Sequence, residues 1–288
     1  MTLGLINFLK PPGMTSHDVV SFIRRSYGLK KVGHAGTLDP AAAGVLPVAL
    51  GQATRLLEYM TSANKTYRVE LTFGYQTATG DEEGQIIARS PVLPKAQDID
   101  PCLQTFVGDI EQIPPMYSAI KVGGKKLYEL ARQGITVDIK PRLVTIESIK
   151  LLAVKAHSIL FDVTCSKGTY IRTLCLDIAS RLGTCGTMSF LLRTQVGDFR
   201  IENAVTAEEI LANQDQQLLP VEYAIRSLPH IAVTSEQAEH FSHGRSCKVS
   251  LSGTGIHAVF DEQEHLLGIG QVATSGCTLS PAKVIATS

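Results

Sequence analysis

The sequence lacks any apolar run long enough to cross a membrane. A spanning helix needs about 20 consecutive apolar residues, and the longest apolar stretches, around 44–51 and 189–194, are short and interrupted. The first residues carry no basic region and no small-residue cleavage site, unlike a secretory signal. We therefore expect a soluble, cytoplasmic protein with no membrane partner.

Several motifs for cofactors and metals are also missing. Six cysteines are spread over 288 residues with no CxxC pair, which favours reduced, buried thiols over disulfides or a zinc site. The pair His240 and His243 has no third ligand at a suitable spacing, so a surface helix is the better interpretation. The motifs GxGxxG, GxxxxGK[ST], GxSxG and HExxH are absent. We expect no metal and no cofactor, and therefore chemistry carried by side chains alone.

There is no excess of charge of either sign, because 27 basic residues balance 27 acidic ones. The balance is not uniform along the chain. Residues 1–75 and 115–200 carry +4 and +7, whereas 76–114 and 201–288 carry −5 and −6. A polyanion interacts with the local surface rather than with the sum. The basic blocks are therefore either an ordinary solvated surface or a surface for nucleic acid.

The pattern of apolar residues and turn formers predicts an α+β fold with a largely antiparallel sheet. Strict alternation over 65–73 is typical of a half-buried strand, and Thr15 with Asp18 forms an N-cap signature for a helix that ends at Gly28. Further strands are predicted over 3–9, 46–50, 85–89, 143–154, 158–165 and 189–196, and helices over 53–60, 98–107, 125–133 and 170–182. The acidic stretch 207–222 is helix-prone. From about 228, strands at 257–260 and 266–272 around a helix at 235–242 predict a second, small domain.

Two segments carry candidate chemistry. Asp39 lies between Leu38 and Pro40 in a glycine-rich turn, where a ligand could approach the backbone closely. A loop aspartate is more often a turn former or a helix cap. The segment 166–172 delivers Tyr170 and Arg172 at the start of a helix, where they could hold a base and a carboxylate, although a capped helix with a surface ion pair explains it equally well.

The segment Gly33-His34-Ala35-Gly36-Thr37-Leu38-Asp39-Pro40, with Ala43-Gly44-Val45-Leu46-Pro47, is similar to the GHxGxLDPxAxGxLP signature of the TruB family of tRNA pseudouridine synthases. Further similar segments are 10–16, Lys65-Thr66-Tyr67, 108–119 and 166–172, in the family's order. The resemblance covers about 1–200. The segment from about 228 resembles the small RNA-binding PUA-like domain of bacterial members.

The resemblance implies a pseudouridine synthase fold and the conversion of uridine 55 in the T loop of tRNA to pseudouridine, without cofactor or metal. It implies that Asp39 is the catalytic residue. The substrate-binding positions that it implies are His34, Tyr67, Tyr170, Arg172, Leu191, Lys10 and Pro11. In this view Tyr67 packs on the target base, Arg172 pairs with the aspartate, and His34 fills the gap that the uridine leaves.

The remaining implied roles concern the pocket and its support: Tyr170 and Leu191 line it, and Lys10 and Pro11 support it from beneath. Whether the aspartate attacks C1′, attacks C6 or removes the C2′ proton stays open at this stage. Two other functions also stay open, namely RNA binding or folding without catalysis and modification of another RNA. A tRNA-folding role could accompany catalysis.

Residues 114–141 are framed by a proline pair and a glycine pair and match the family's RNA-gripping insertion. The RNA-contacting positions expected there and just beyond are Lys121, Lys125, Lys126, Arg132, Lys140 and Arg142. We expect a catalytic domain over 1–225 and a PUA-like domain over 228–288. The expected partner is the T-arm stem-loop of tRNA, bound by a monomer.

Overall fold

The structure is a computed structural model that describes residues 3–118, 120–249, 253–274 and 276–285. The strands are β1 (Gly4–Lys10), β2 (Val32–His34), β3 (Ala43–Leu50), β4 (Lys65–Phe73), β5 (Tyr75–Thr77), β6 (Ile86–Arg89), β7 (Gly108–Gln112), β8 (Lys121–Val122), β9 (Lys125–Lys126), β10 (Arg142–Val154), β11 (Ser158–Cys165), β12 (Gly186–Val196), β13 (Phe199–Arg200), β14 (His230–Ala232), β15 (Cys247–Lys248), β16 (Gly255–Phe260), β17 (Leu266–Val272) and β18 (Thr278–Val284). The α-helices are α1 (Ser16–Ser26), α2 (Leu57–Ser62), α3 (Ala96–Gln104), α4 (Leu127–Arg132), α5 (Ile171–Arg181), α6 (Ala207–Ala212) and α7 (Ser235–Ser242).

A nine-stranded mixed sheet forms the larger part of the molecule. Its order is β1-β3-β12-β4-β11-β10-β7, with β2 beside β3 and β13 beside β12. The pairing of β12 with β3 is parallel, and the other pairs of this sheet are antiparallel. The α+β class and the largely antiparallel sheet predicted from the sequence are therefore confirmed.

The elements predicted from the strongest sequence patterns are present in the structure. In β4 the alternating residues Tyr67, Val69, Leu71 and Phe73 are buried and belong to one core. In α1 the capping box between Thr15 and Asp18 is formed.

Two helices predicted from weaker sequence patterns are shorter in the structure than expected. The helix predicted over 125–133 is shorter, because Gly123 and Gly124 have positive φ and form the turn of the β8–β9 hairpin before α4 begins. The helix-prone stretch 207–222 is helical only in α6 and two short 3₁₀ turns.

A second sheet, of order β14-β16-β17-β18-β15, lies near the C-terminus. It has a small core of its own around Phe241 and α7. Another core is shared, because Ala258, Leu266 and Ile269 of this sheet cluster with Leu5, Val45 and other residues of the first 60 positions. An ion pair from Lys283 to Glu58, at 3.0 Å, joins the same surfaces.

None of the helices within the described ranges is both long and apolar enough to span a membrane.

Candidate active site

The loop that joins β2 to β3 carries Asp39, and neighbouring elements hold its backbone. The Ser16 hydroxyl, in the first turn of α1, accepts a hydrogen bond from the Leu38 amide (2.9 Å) and donates one to the Leu38 carbonyl (3.1 Å). The Gly13 amide donates to the Pro40 carbonyl at 2.8 Å. Because the backbone is fixed on both sides of Asp39, its carboxylate has a defined position.

Lys10 lies directly beneath this loop and is fully buried. Its Nζ donates to the carbonyls of Pro11 (2.9 Å), Met14 (2.6 Å) and Pro40 (3.0 Å). Burial lowers the pKa of Lys10 to about 8, although the nearby Asp39 charge opposes the shift. Pro11 itself is exposed and contributes its carbonyl. The Lys10 ammonium thus joins the carbonyls of Pro11 and Met14 to the Asp39 loop at Pro40.

Arg172, in the first turn of α5, connects Asp39 to a second carboxylate. Its Nε lies 3.1 Å from Asp39 Oδ2 and 3.7 Å from Asp81 Oδ2. The guanidinium also donates to the carbonyls of Thr79 (3.1 Å) and Tyr117 (2.8 Å). The side chain of Asp39 is 36% exposed, against 7% for Arg172 and 11% for Asp81. Asp39 is thus the member of this network that a substrate can reach.

The sequence did not single out Asp81, because it begins a run of three acidic residues in a turn. Thr79 Oγ1 donates to its carboxylate, and the Glu83 amide donates to the same oxygen at 3.2 Å. Nothing in the local sequence pattern distinguishes Asp81 from Glu82 or Glu83. Asp81 is distinguished only by its contact with Arg172 in the folded chain.

Tyr67 and Leu191 come from neighbouring strands of the sheet. Leu191 pairs with Val69, two residues from Tyr67 on the same face of β4. Each is 8% exposed, and both belong to the core that includes Leu38. Burial raises the pKa of Tyr67, so the phenol is neutral at physiological pH. The two side chains and Asp39 are thus brought to one region of the molecule.

Tyr170 and His34 flank this region. Tyr170 is the N-cap of α5, and the Gln112 side chain accepts from its amide at 3.0 Å and donates to its carbonyl at 3.4 Å. His34 ends β2 and is half-buried, and its Nδ1 is buried without a hydrogen-bond partner. Burial and the charge of Arg193 lower the pKa of His34, so its ring is neutral.

The basic insertion lies next to the site through its first residues. Tyr117 contacts Arg172, whereas Lys121 and Lys125 are exposed in the β8–β9 hairpin. Lys126 is half-buried and donates to the Tyr128 hydroxyl at 3.2 Å. Further on, Lys140 and Arg142 are exposed, and the side chain of Arg132 lies outside the described part of the structure.

A surface cavity of about 570 Å³ lies elsewhere, beside α3 and the end of α5. None of the residues predicted for the site lines it. Among the described residues, no group of three or more His, Cys, Asp or Glu side chains is arranged to hold a metal ion.

Similarity to known sequences identifies the family of this chain. The profile described as "TruB family pseudouridylate synthase (N terminal domain)" matches residues 24–171. The chain belongs to the TruB family. Two further profiles of the family match the rest, "tRNA pseudouridylate synthase B C-terminal domain" at 172–226 and "Pseudouridine synthase II TruB, C-terminal" at 229–285. The family predicted from the 33–47 motif is therefore confirmed.

Curated relatives are similar over most of the chain. The tRNA pseudouridine synthase B of Alkaliphilus oremlandii is 49% identical over 84% of this TruB-family chain and 81% of its own length. The enzyme of the same name from Caldanaerobacter subterraneus subsp. tengcongensis is 46% identical over 93% of this chain and 94% of its own.

Solved structures are similar to the fold as a whole. A chain of the structure titled "Structure of H/ACA RNP bound to a substrate RNA containing 2'-deoxyuridine" has a TM-score of 0.76 and 26% identity, over 98% of this chain and 85% of its own. A chain of a "Cbf5-Nop10-Gar1 Complex" has a TM-score of 0.75 and 27% identity, with 98% and 84% coverage. The pseudouridine synthase fold is thus confirmed for this TruB-family member.

Proposed function

We propose that this chain isomerises uridine 55 in the T loop of tRNA to pseudouridine, with Asp39 as the catalytic residue. One observation carries the proposal: the accessible Asp39 carboxylate lies 3.1 Å from the buried Arg172 guanidinium, on a loop whose neighbours hold it in place. The names of the curated relatives support tRNA as the substrate.

The proposed reaction neither adds nor removes atoms overall. The N1–C1′ bond of the uridine breaks, a C5–C1′ bond forms, the C5 proton leaves and N1 gains a proton. Asp39 acts as a nucleophile at C1′ or C6, or as the base that removes the C2′ proton. Each route needs an ionised carboxylate, and the Arg172 guanidinium 3.1 Å away forms an ion pair with it.

The base must be extruded from the folded T loop before it reacts, which costs a few kcal/mol of stacking. In our proposal Tyr67 packs on the extruded base and returns about 1–3 kcal/mol. Leu191 and Tyr170 line the same pocket, and His34 occupies the space that the uridine leaves. A neutral imidazole suits that position because it enters a base stack without bringing a charge.

Basic side chains of the insertion and of the position just beyond it are proposed to grip the T-arm backbone. They are Lys121, Lys125, Lys126, Arg132, Lys140 and Arg142. Residues 228–288 are proposed to form a second, PUA-like RNA-binding domain beside the catalytic domain of 1–225. Binding by a monomer is part of the same proposal.

The test is incubation with an unmodified T-arm stem-loop labelled at the target uridine, followed by nucleoside analysis. We expect labelled pseudouridine with the unmodified chain and binding without turnover for Asp39→Asn. Asp98→Asn, an exposed aspartate on α3, is the matched control and should retain full activity. Substantial pseudouridine formation by Asp39→Asn would refute the catalytic assignment, and a stem-loop with a scrambled loop tests the choice of RNA.

A further inference from the structure

Arg193, on β12, is a buried cation that neither the sequence motifs nor the proposed chemistry uses. It is 1% exposed and is among the largest fully buried side chains. No carboxylate within the described ranges forms an ion pair with it. A buried charge without a counter-ion is costly unless polar groups surround it. The neutral acceptors around this guanidinium therefore indicate what it does.

Those acceptors lie in the loop that carries Asp39 and in β3, the strand that follows it. In the loop, Nη2 donates to the Gly36 carbonyl and Nη1 to the Thr37 carbonyl, both at 3.2 Å. In β3, Nε donates to the Val45 carbonyl at 2.7 Å. One rigid guanidinium fork therefore joins the first half of the loop to the strand after it.

The same side chain reaches the base-packing tyrosine. Arg193 is the register partner of Tyr67 across the β12–β4 pair, and of Gly44 across the β12–β3 pair. Burial raises the pKa of Tyr67, and the nearby Arg193 charge partly opposes that rise. Arg193 thus contacts the strand that carries Tyr67 and the loop that carries Asp39.

We propose that Arg193 is a positioning residue, which fixes the separation between the Asp39 carboxylate and the Tyr67 ring. The proposal rests on the proposed function, since it assigns Arg193 a role in that reaction. Arg193 acts through the loop and touches no reacting atom. Its planar fork supplies donors in fixed directions, which a lysine ammonium does not reproduce.

The expected effect is on turnover and not on RNA binding. A displacement of about 1 Å in a reacting group can lower a rate about 100-fold. The proposed RNA grip consists of side chains in and beside the insertion, whereas Arg193 is buried and does not reach the surface. Replacement should therefore lower kcat while KM and the affinity for RNA stay nearly constant.

The test compares Arg193→Lys and Arg193→Gln with Arg68→Gln. Arg68 is the matched control, because it pairs with Leu192, next to Arg193, and binds Asp162 at 2.9 Å on the opposite face of the sheet. With the labelled stem-loop we expect kcat to fall about 30-fold or more for Arg193→Gln and less for Arg193→Lys, which keeps the cation. Arg68→Gln should retain wild-type kcat, and the KM of the lysine variant should stay within about threefold.

A rescue experiment keeps the proposal testable if Arg193→Gln unfolds. Guanidinium ion at millimolar concentration, added to Arg193→Ala, should raise its kcat at least about fivefold and leave Arg68→Gln unchanged. The proposal would be overturned if Arg193→Lys had the same kcat as Arg68→Gln. It would also be overturned if the fall in kcat were matched by an equal loss of RNA binding. An inactive unmodified chain would refute the proposed function instead, so the two failures are distinguishable.

Discussion

At the residue scale, Arg172 is shared between a carboxylate that solvent reaches, Asp39, and one that it barely reaches, Asp81. Asp81 neutralises part of the Arg172 charge from within the protein. Without it, Arg172 would be drawn wholly to Asp39 and would hold that carboxylate more tightly. Under the proposed function, Asp81 therefore helps to keep Asp39 available for the substrate.

We expect Asp81→Asn to lower kcat about tenfold, which corresponds to about 1.4 kcal/mol of transition-state stabilisation, with little change in KM. The amide keeps the size of the side chain and removes its charge. Steady-state kinetics on the T-arm stem-loop measures the effect. Glu82→Gln is the neighbouring control, and equal kcat for the two variants would contradict the role of Asp81.

The burial of Lys10 predicts that the site changes as the pH becomes alkaline. Its pKa is about 8 in the folded chain, against an ordinary value of 10.5. Between these values the unfolded chain binds more protons, so the contribution of Lys10 to the free energy of unfolding rises with pH. The neutral amine, however, has two N–H donors for three carbonyls. Support for the Pro40 carbonyl is then weakened.

We therefore expect kcat to fall as the pH rises through about 8, measured from neutral pH upward under saturating RNA. Burial also lowers the pKa of Lys65 to about 8, so Lys65→Met is the control. The alkaline fall should persist in that variant if Lys10 is responsible. Loss of the alkaline fall in Lys65→Met would assign the effect to Lys65. A kcat that does not change with pH in the unmodified chain would exclude a role for either lysine.

Asp39, Tyr67 and Arg172 could be proposed as site residues from the sequence because each lies in a short motif. Asp81 and Arg193 could not, since their importance lies in partners that are distant along the chain. Arg193 binds carbonyls about 150 positions away. A backbone acceptor carries no side-chain identity, so no local pattern predicts such a contact.

At the element scale, the parallel pairing of β3 with β12 depends on one glycine. Gly44 has a φ of 119°, and a Cβ there would lie 2.2 Å from the Arg193 carbonyl oxygen. Because that atom belongs to the backbone, the contact cannot be relieved by a rotamer change. This glycine permits the close approach that brings the Asp39 loop to β12.

We expect Gly44→Ala to lower the free energy of unfolding by more than about 3 kcal/mol. Gly13→Ala is the matched control: its φ is also positive, at 89°, but a Cβ would meet nothing within 4 Å. It should cost only about 1 kcal/mol of backbone strain. Urea unfolding of both variants measures the difference, and equal losses would show that strain alone is at work.

Elements whose own residues specify them could be predicted from the sequence, as the alternation of β4 and the capping box of α1 demonstrate. Strands that form only through pairing with another strand could not be predicted in this way. The edge strand β7 (108–112) has no alternating apolar row and exists through its pairing with β10. Likewise β8 and β9 are two residues each and depend on the glycine turn between them.

At the scale of the whole molecule, the zero net charge conceals basic regions that include the 33–47 motif and the insertion. If the insertion binds phosphates, association releases counterions and weakens as salt rises.

We expect the logarithm of the T-arm binding constant to fall linearly with the logarithm of salt concentration. Replacing Lys121, Lys125 and Lys126 together by Gln should make that slope shallower by about 2 to 3, roughly one per phosphate contact. Lys95→Gln, beside the remote cavity, should leave the slope unchanged. A flat dependence for the unmodified chain would contradict RNA binding through these residues.

The parallel pairing of β3 with β12 has a consequence for biosynthesis. The Asp39 loop leaves the ribosome about 130 residues before Arg172 and about 150 residues before Arg193. Strand β4 lacks its sheet neighbour β11 until residues 158–165 emerge and lacks β12 until residues 186–196 emerge, so its apolar row stays open to other chains in the meantime. The active site is therefore among the last regions to form. A mutation that delays the docking of β12 would reduce the yield of folded enzyme even if the finished site were unchanged.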